Sequence, residues 1–529
     1  MPKFLISAHA HLSGFENTDN PPRSVAPNLI ENRSVRPRGK APKMIDILTK
    51  IHDRFSIEFK MGFRTRPRQR GGDFSVYMWI FLPNSLDINP STYPKSKFYS
   101  NVKSNVRLIT PRFALHEIAA GEALPLRRLE AAFTALAASP SRETTAEYEY
   151  RIKMFAAIVK SALRDEINCI RRNRRGAETT ALCRSYMRSI ARITGEFHRL
   201  HTLLETPDIP EETRNCYRFV DEFLCDIIAR HTLALLRHLE AQQERRPGIV
   251  RELAATIRKG ERYGTRMGYE ILRDDDPRRN RALVFRSGVL KKYVESALFL
   301  KAPKKRDGVV VEQLYYSIAA GLSMIFATVV SFSFQQRFGN FTTPLFIALV
   351  VSYMLKDRIK DLMRYYFAHR IGSSYFDNKA TVRIKEQPIG WIKEGVDFLS
   401  EQKVPPQVMS LRSRSPLLQA ENRISDEKII LYRKSVHIDR GKLDRHSVYA
   451  TDGINDIIRL HVSNFIRKMD DPQVTLYTLG PNDRPEAVVC DKVYFLNVVL
   501  QYRYDERIVY KRFRIAMTRA GIDSIDEME

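Results

Sequence analysis

Cysteine is scarce in this chain: five in 529 residues, at Cys169, Cys183, Cys216, Cys225 and Cys490, with no C-x-x-C pair. So scattered and odd a set excludes a disulfide framework and a paired zinc motif, and it points to a reducing compartment. Acidic residues are also in deficit, 61 against 87 basic ones, which leaves a net charge of +26. No G-x-x-x-x-G-K-[ST] phosphate loop, G-x-S-x-G elbow or H-E-x-x-H helix occurs in the sequence. His116-Glu117 opens a string of zinc-protease type, but the second histidine one turn on is missing. No reaction is legible, whereas architecture and location are.

Residues 1–43 carry six prolines, a cluster of basic residues and no hydrophobic period, and are expected to form a disordered basic leader. Residues 44–112 read as a small α+β domain. Its clearest strand is Ser75–Leu82, and a short helix starts at Tyr93-Pro94. Arg70-Gly71-Gly72-Asp73-Phe74 has the glycines of a nucleotide-presenting hairpin without its second acid, and reads as a turn before that strand.

Residues 113–300 are expected to form a bundle of long helices or coiled hairpins. Thr144 to Glu147 has capping-box spacing, and four apolar seams follow in steps of three and four. They begin at Tyr148, Cys183, Tyr217 and Ile249, and the first includes Cys169. His201, His231 and His238 lie on these faces as core histidines, because seven residues between the last two is roughly 10 Å of helix, too far for one metal. Gly260, Gly264 and Gly268 imply either close helix packing or a break. Asp274-Asp275-Asp276, set among arginines, reads as a solvated loop.

The most informative stretch is apolar. Leu314 to Phe334 is uncharged over 21 residues, roughly 31 Å as a helix and enough for a hydrocarbon core of about 30 Å. Gly339 to Leu355 is uncharged over 17 residues, at the short limit. Spans at 314–334 and 339–355 make a two-span transmembrane hairpin, continued by a juxtamembrane helix to residue 371. Lys301, Lys304, Lys305, Lys356, Arg358 and Lys360 flank it, and the turn holds only Arg337. The positive-inside rule then places both termini in the cytoplasm, at the inner or plasma membrane in a bacterium. The same six cations imply a bilayer surface with anionic headgroups as partner. Neither span has an ionisable residue at its centre, which argues against a transport pathway. Ala319, Ser323, Ala327 and Ser331 recur every fourth residue as a helix-contact stripe, facing either the other span or a second copy in a homo-oligomer.

Residues 372–426 read as a linker with short helices, and 427–529 as an α+β domain with an antiparallel sheet. Strand signals cover Lys428–Ile438, Val474–Leu479, Val488–Val489, Val493–Tyr504 and Ile508–Met517, and Asp452 is expected to cap a helix from Gly453 to Met469. The expected fold is a membrane-anchored α+β: a helical bundle, a two-span transmembrane hairpin and small flanking α+β cytoplasmic domains. The function this favours is a membrane-anchored cytoplasmic scaffold or adaptor. A membrane-tethered enzyme with scattered site residues is the second reading, and a membrane-associated nucleic-acid binder, resting on charge alone, the third. No cofactor or metal is implied, and no specific nucleic acid is an expected partner.

Overall fold

The computed structural model describes residues 45–64, 71–120, 124–173, 176–241, 247–272, 276–340, 342–372, 376–412, 416–417, 427–449, 451, 453–481, 483–504 and 507–528. The leader and the aspartates at 274 and 275 lie outside these residues. From Met44 to Glu529 the chain is one compact unit.

Strands β1 (Ile45–Asp53) and β2 (Ser56–Arg64) form a hairpin, followed by β3 (Gly71–Leu82), helix α1 (Lys95–Asn101) and β4 (Val102–Leu108). Then come the helices: α2 (Leu115–Ala120), α3 (Leu124–Ala138), α4 (Arg142–Arg172), α5 (Gly176–Arg199), α6 (Glu211–Ala241), α7 (Pro247–Arg266) and α8 (Pro277–Glu295). The short strand β5 (Lys304–Arg306) leads into α9 (Val309–Phe338) and α10 (Thr343–Gly372). Strands β6 (Asn378–Ile384) and β7 (Gln387–Leu399), helix α11 (Pro406–Arg412), β8 (Lys428–Asp439) and β9 (Gly453–His461) follow. The chain closes with β10 (Gln473–Leu479), β11 (Pro485–Asp491), β12 (Tyr494–Tyr504), β13 (Arg507–Thr518) and β14 (Gly521–Met528).

Twelve of these strands build two packed antiparallel sheets, in the orders β14-β13-β12-β3-β8-β7-β6-β5 and β1-β2-β9-β4. Strand β3 explains the interleaving. Phe74, Val76, Met78 and Ile80 fill the space between the sheets, while Trp79 and Phe81 on its other face pack with Val404 and Val408 beside α11. A strand apolar on both faces belongs in the middle of a covered sheet, and here its neighbours are β8 and β12, more than 300 residues away in sequence. The residues expected as two separate domains, 44–112 and 427–529, therefore share both sheets. Ring contacts join the sheets: Phe63 stacks on Phe74 with centroids 3.7 Å apart, and Phe59 meets Phe513 edge-on at 6.0 Å.

Two further expectations change. The span 372–426 contains β6 and β7, which extend the larger sheet. Within β7, Glu394 is buried against Lys304 and Lys434. The segment after Asp452 is strand β9, not a helix. Gly453 has φ +146°, and a Cβ there would stand 1.9 Å from the Phe63 carbonyl oxygen, so only glycine enters this edge. Ile454, Ile457 and Ile458 mimic helical spacing, yet β-branched residues suit the pleated sheet they occupy.

The helices follow their seams. Tyr148, Ile152, Phe155, Cys183, Tyr186, Phe197, Tyr217, Val220 and Leu253 are all buried, whereas Cys169 is exposed. α4 starts earlier than Thr144: Ser141 caps it, and the Thr144 hydroxyl accepts from the Ser141 N–H. Glu147 is engaged instead by Arg151 and Lys385. The glycine series ends α7, with Gly268 at φ +74° and the Tyr269 N–H bonded to the Gly264 carbonyl. Asp276 caps α8 by accepting from the Arg278 and Arg279 N–H groups.

Candidate functional site

α9 is long and apolar enough to cross a membrane, and only 11% of its most apolar stretch is buried within the protein. Leu322, Ile325, Val329 and Phe332 are exposed along it. Among the described residues no other helix meets that standard. α10 falls short because its helix begins at Thr343, so its uncharged part ends after 13 residues at Leu355, about 20 Å of helix. The two helices pack as a hairpin: Ser352 Oγ donates to the Ala327 carbonyl (3.3 Å), and the Arg364 guanidinium lies 5.3 Å from the Tyr316 ring centre. Ala319 and Ser323 are buried, as are Ala348 and Ser352 opposite. The small-residue stripe is thus occupied within the chain by α10, while Ser331 lies near the turn, beside Asn340 and Thr343.

The six flanking cations do not form one ring. Lys301 pairs with Glu386, and Lys304 reaches the buried Glu394 at 2.5 Å. Lys305 is exposed on β5, opposite Lys379. Lys356 lies 4.1 Å from the Tyr353 ring centre, Arg358 is exposed, and Lys360 pairs with Asp357 at 3.4 Å. Antiparallel packing sets Lys356 about level with Ser323, roughly four turns along α9 from its start at Val309 and further still from Lys305.

Strands β5 and β6 hold the feet of the hairpin together. Lys304 pairs with Ala380 and Arg306 with Asn378, so the chain enters α9 and returns from α10 through neighbouring strands of one sheet. Behind this junction lies a buried ionic network. Lys434 Nζ donates to Asp456 Oδ1 (2.5 Å) and to Ser104 Oγ (2.6 Å), with Glu394 Oε1 at 3.9 Å. Burial alone would raise the Glu394 carboxyl, but Lys434 and Lys304 overcome it and hold it below the usual range. Burial pushes the Asp456 carboxyl up despite Lys434.

The other two strands, β10 and β11, form a separate ribbon. Every residue of β10 and all of β11 except Cys490 are exposed. One face presents Val474, Leu476 and Val488; the other presents Tyr477, Leu479 and Val489. The sequence showed both strands, but nothing in it said that they leave the sheets.

In the helical layer, Asp221 is buried and accepts three hydrogen bonds: from Tyr269 OH (2.7 Å) and Tyr263 OH (2.9 Å) on Oδ2, and from His198 Nε2 (3.0 Å) on Oδ1. His198 stacks on Tyr263 with centroids 4.3 Å apart. Burial and then Asp221 raise both phenols. Cys225, one turn along α6, is a thiol and not a thiolate, because burial and then Asp221, Glu222 and Asp226 push it up. A thiol held protonated is a poor nucleophile. The histidines expected in the core are more varied. His201 packs on Tyr217 near Glu205, and burial followed by Lys160, Arg164 and Arg171 lowers His231.

No protein-family model matches the chain, and no curated protein is similar to it. Among solved structures, a de novo designed 16-helix transmembrane nanopore is similar at 12% identity over 49% of this chain and 83% of that one. Its TM-score of 0.22 carries no argument about fold or function.

Proposed function

We propose that this chain is a membrane-anchored cytoplasmic scaffold that assembles through the β10–β11 ribbon. The ribbon carries the reading. An isolated two-stranded hairpin is marginal in water, and this one has apolar side chains on both uncovered faces, with Tyr477 at 75% and Leu479 at 72% exposure. Such a surface needs a protein to cover it. Between residues 470 and 492 stand Asp470, Asp471, Asp483, Glu486 and Asp491 against Arg484 and Lys492, an acidic arm on a chain of net charge +26. That contrast favours another copy of this chain as the first partner.

The hairpin supplies the anchor. Both its helices cross the bilayer, and Lys356, Arg358 and Lys360 snorkel to the inner surface while the bilayer thins around the shorter α10. Because β5 and β6 are neighbours, the soluble body stays on one side, and the charge bias makes that side cytoplasmic. Replacing 473–491 with a short Gly-Ser linker leaves the strand base intact, since the Lys492 N–H bonds to the Pro472 carbonyl. Light scattering in detergent is expected to show an oligomer for the full chain and a monomer for the shortened one. Equal masses overturn assembly through the ribbon.

A further inference from the structure

A groove runs along the helical layer between α5 and α7, floored by α6. Two pairs fix its long axis. Arg184 bonds Glu252 at one end (3.1 Å), and His198 stacks on Tyr263 at the other, so α5 and α7 run parallel. Between Arg184 and His198 the groove is about 21 Å long. It is open to solvent along one side and holds about 900 Å³, within the roughly 300–1,000 Å³ of sites that hold organic ligands.

Small residues keep it open. Gly195 and Gly260 line the walls, and a Cβ at either would meet no atom within 4 Å. Met187, Ile190 and Ile228 give an apolar lining. Cations line both ends, with Arg184 and Arg188 towards one and Lys259 and Arg266 towards the other, where His198 adds a ring nitrogen. Asp221 holds the ring through Nε2, which leaves Nδ1 as the ring's available polar atom. Lys259 and Arg266 stand on the same side of the groove and make no ion pair among the described residues. Glu252, the one carboxylate lining the groove, is already matched by Arg184.

We propose that this groove binds a single-chain amphiphile with an anionic head, the chain lying along Met187, Ile190 and Ile228 and the head on Lys259, Arg266 and His198. The head is a carboxylate or a phosphate monoester, and the bilayer that anchors the protein is the source. The site is independent of the ribbon and of assembly.

The test uses the full chain in phosphatidylcholine nanodiscs with a diazirine-bearing palmitate, followed by illumination and peptide mapping. Labelling of α5, α6 and α7 peptides is expected, alongside hairpin labelling that confirms the probe is in the bilayer. The matching diazirine hexadecanol is expected to label the groove about tenfold less, the worth of one charge-assisted hydrogen bond. A diazirine lysophosphatidate competing better than palmitate assigns the phosphate head, and the reverse assigns the carboxylate. Gly195→Leu is expected to abolish groove labelling with an unchanged circular-dichroism melt, and Lys259→Glu with Arg266→Glu to reduce it about tenfold. Equal labelling by the alcohol overturns the anionic head. Groove labelling that survives Gly195→Leu, or its absence with palmitate and lysophosphatidate alike, overturns the site.

Discussion

Replacing Lys434 with methionine removes the centre of the buried network while keeping the length of the side chain. In the native fold Lys434 is 1% exposed and Asp456 0%, and the ammonium lies 2.5 Å from Asp456 and 3.9 Å from Glu394. Glu394 keeps Lys304 as a partner, but Asp456 keeps no ion-pair partner among the described residues. Breaking a buried pair from one side costs about 3–5 kcal/mol, because the remaining charge is stranded. With a urea slope above the roughly 3 kcal/mol/M of the largest small domains, the midpoint falls by about 1 M. The assay is selective, since the chain's two tryptophans, Trp79 on β3 and Trp391 on β7, both belong to the sheets. Adding Asp456→Leu removes the stranded charge and is expected to recover about 2 kcal/mol or more. The pH dependence has a definite sign. Asp456, already raised by burial, rises further without Lys434 and holds its proton in the fold, so the variant gains stability as pH falls towards the unfolded carboxylate value of about 4. Wild-type Glu394 is depressed, so its contribution is present above its unfolded value and is lost only as pH drops below about 4.5. The gap between the two proteins therefore narrows towards pH 5. A loss under about 1 kcal/mol for Lys434→Met, or a double variant weaker than the single one, refutes the reasoning.

Gly260→Ala is expected to stabilise the helical layer by about 0.5–1 kcal/mol, since the methyl enters open space in mid-helix, whereas Gly268→Ala at φ +74° destabilises it; circular-dichroism melting separates the two. Cysteines placed at Ala327 and Ser352, in a chain freed of its native cysteines, are expected to form an intrachain disulfide on oxidation. A bond between chains instead would return the stripe to an oligomer contact. Arg286→Ala is expected to cost about 1–2 kcal/mol, since it clasps buried Glu222 through Nε and Nη2 (Nη2 to Oε2, 2.6 Å) but is itself half exposed, so water offsets part of the loss. The same melt checks that loss.

The helices were legible in the sequence because a 3.6-residue period is written by the residues that touch within one element. Cys183, Tyr186, Phe197 and Leu204 declared their face without knowledge of any partner. The sheets were half legible. β3 read as a buried strand, but its neighbours β8 and β12 could not be named, since strand partners leave no local mark. β9 was misread for a physical reason, as Ile454, Ile457 and Ile458 fit both periods. β7 was hidden by Glu394, whose charge argues for solvent until Lys304 and Lys434 are seen beside it. The basic flanks were legible as residues, but not their levels, because the pairing of α10 with α9 that sets them leaves no local mark. The Asp221 cluster had no signal at all: its donors come from α5, α7 and the turn after it, at spacings no motif records.

The central claim is an anchor that crosses the membrane twice and keeps the body inside. Single cysteines at Gln336, in the last turn of α9, and at Tyr477, on the ribbon, test it in intact cells with a membrane-impermeant maleimide, the five native cysteines having been removed. The expected result is labelling at 336 from outside and none at 477 until the membrane is opened. Labelling at 477 in intact cells, or none at 336, contradicts the account.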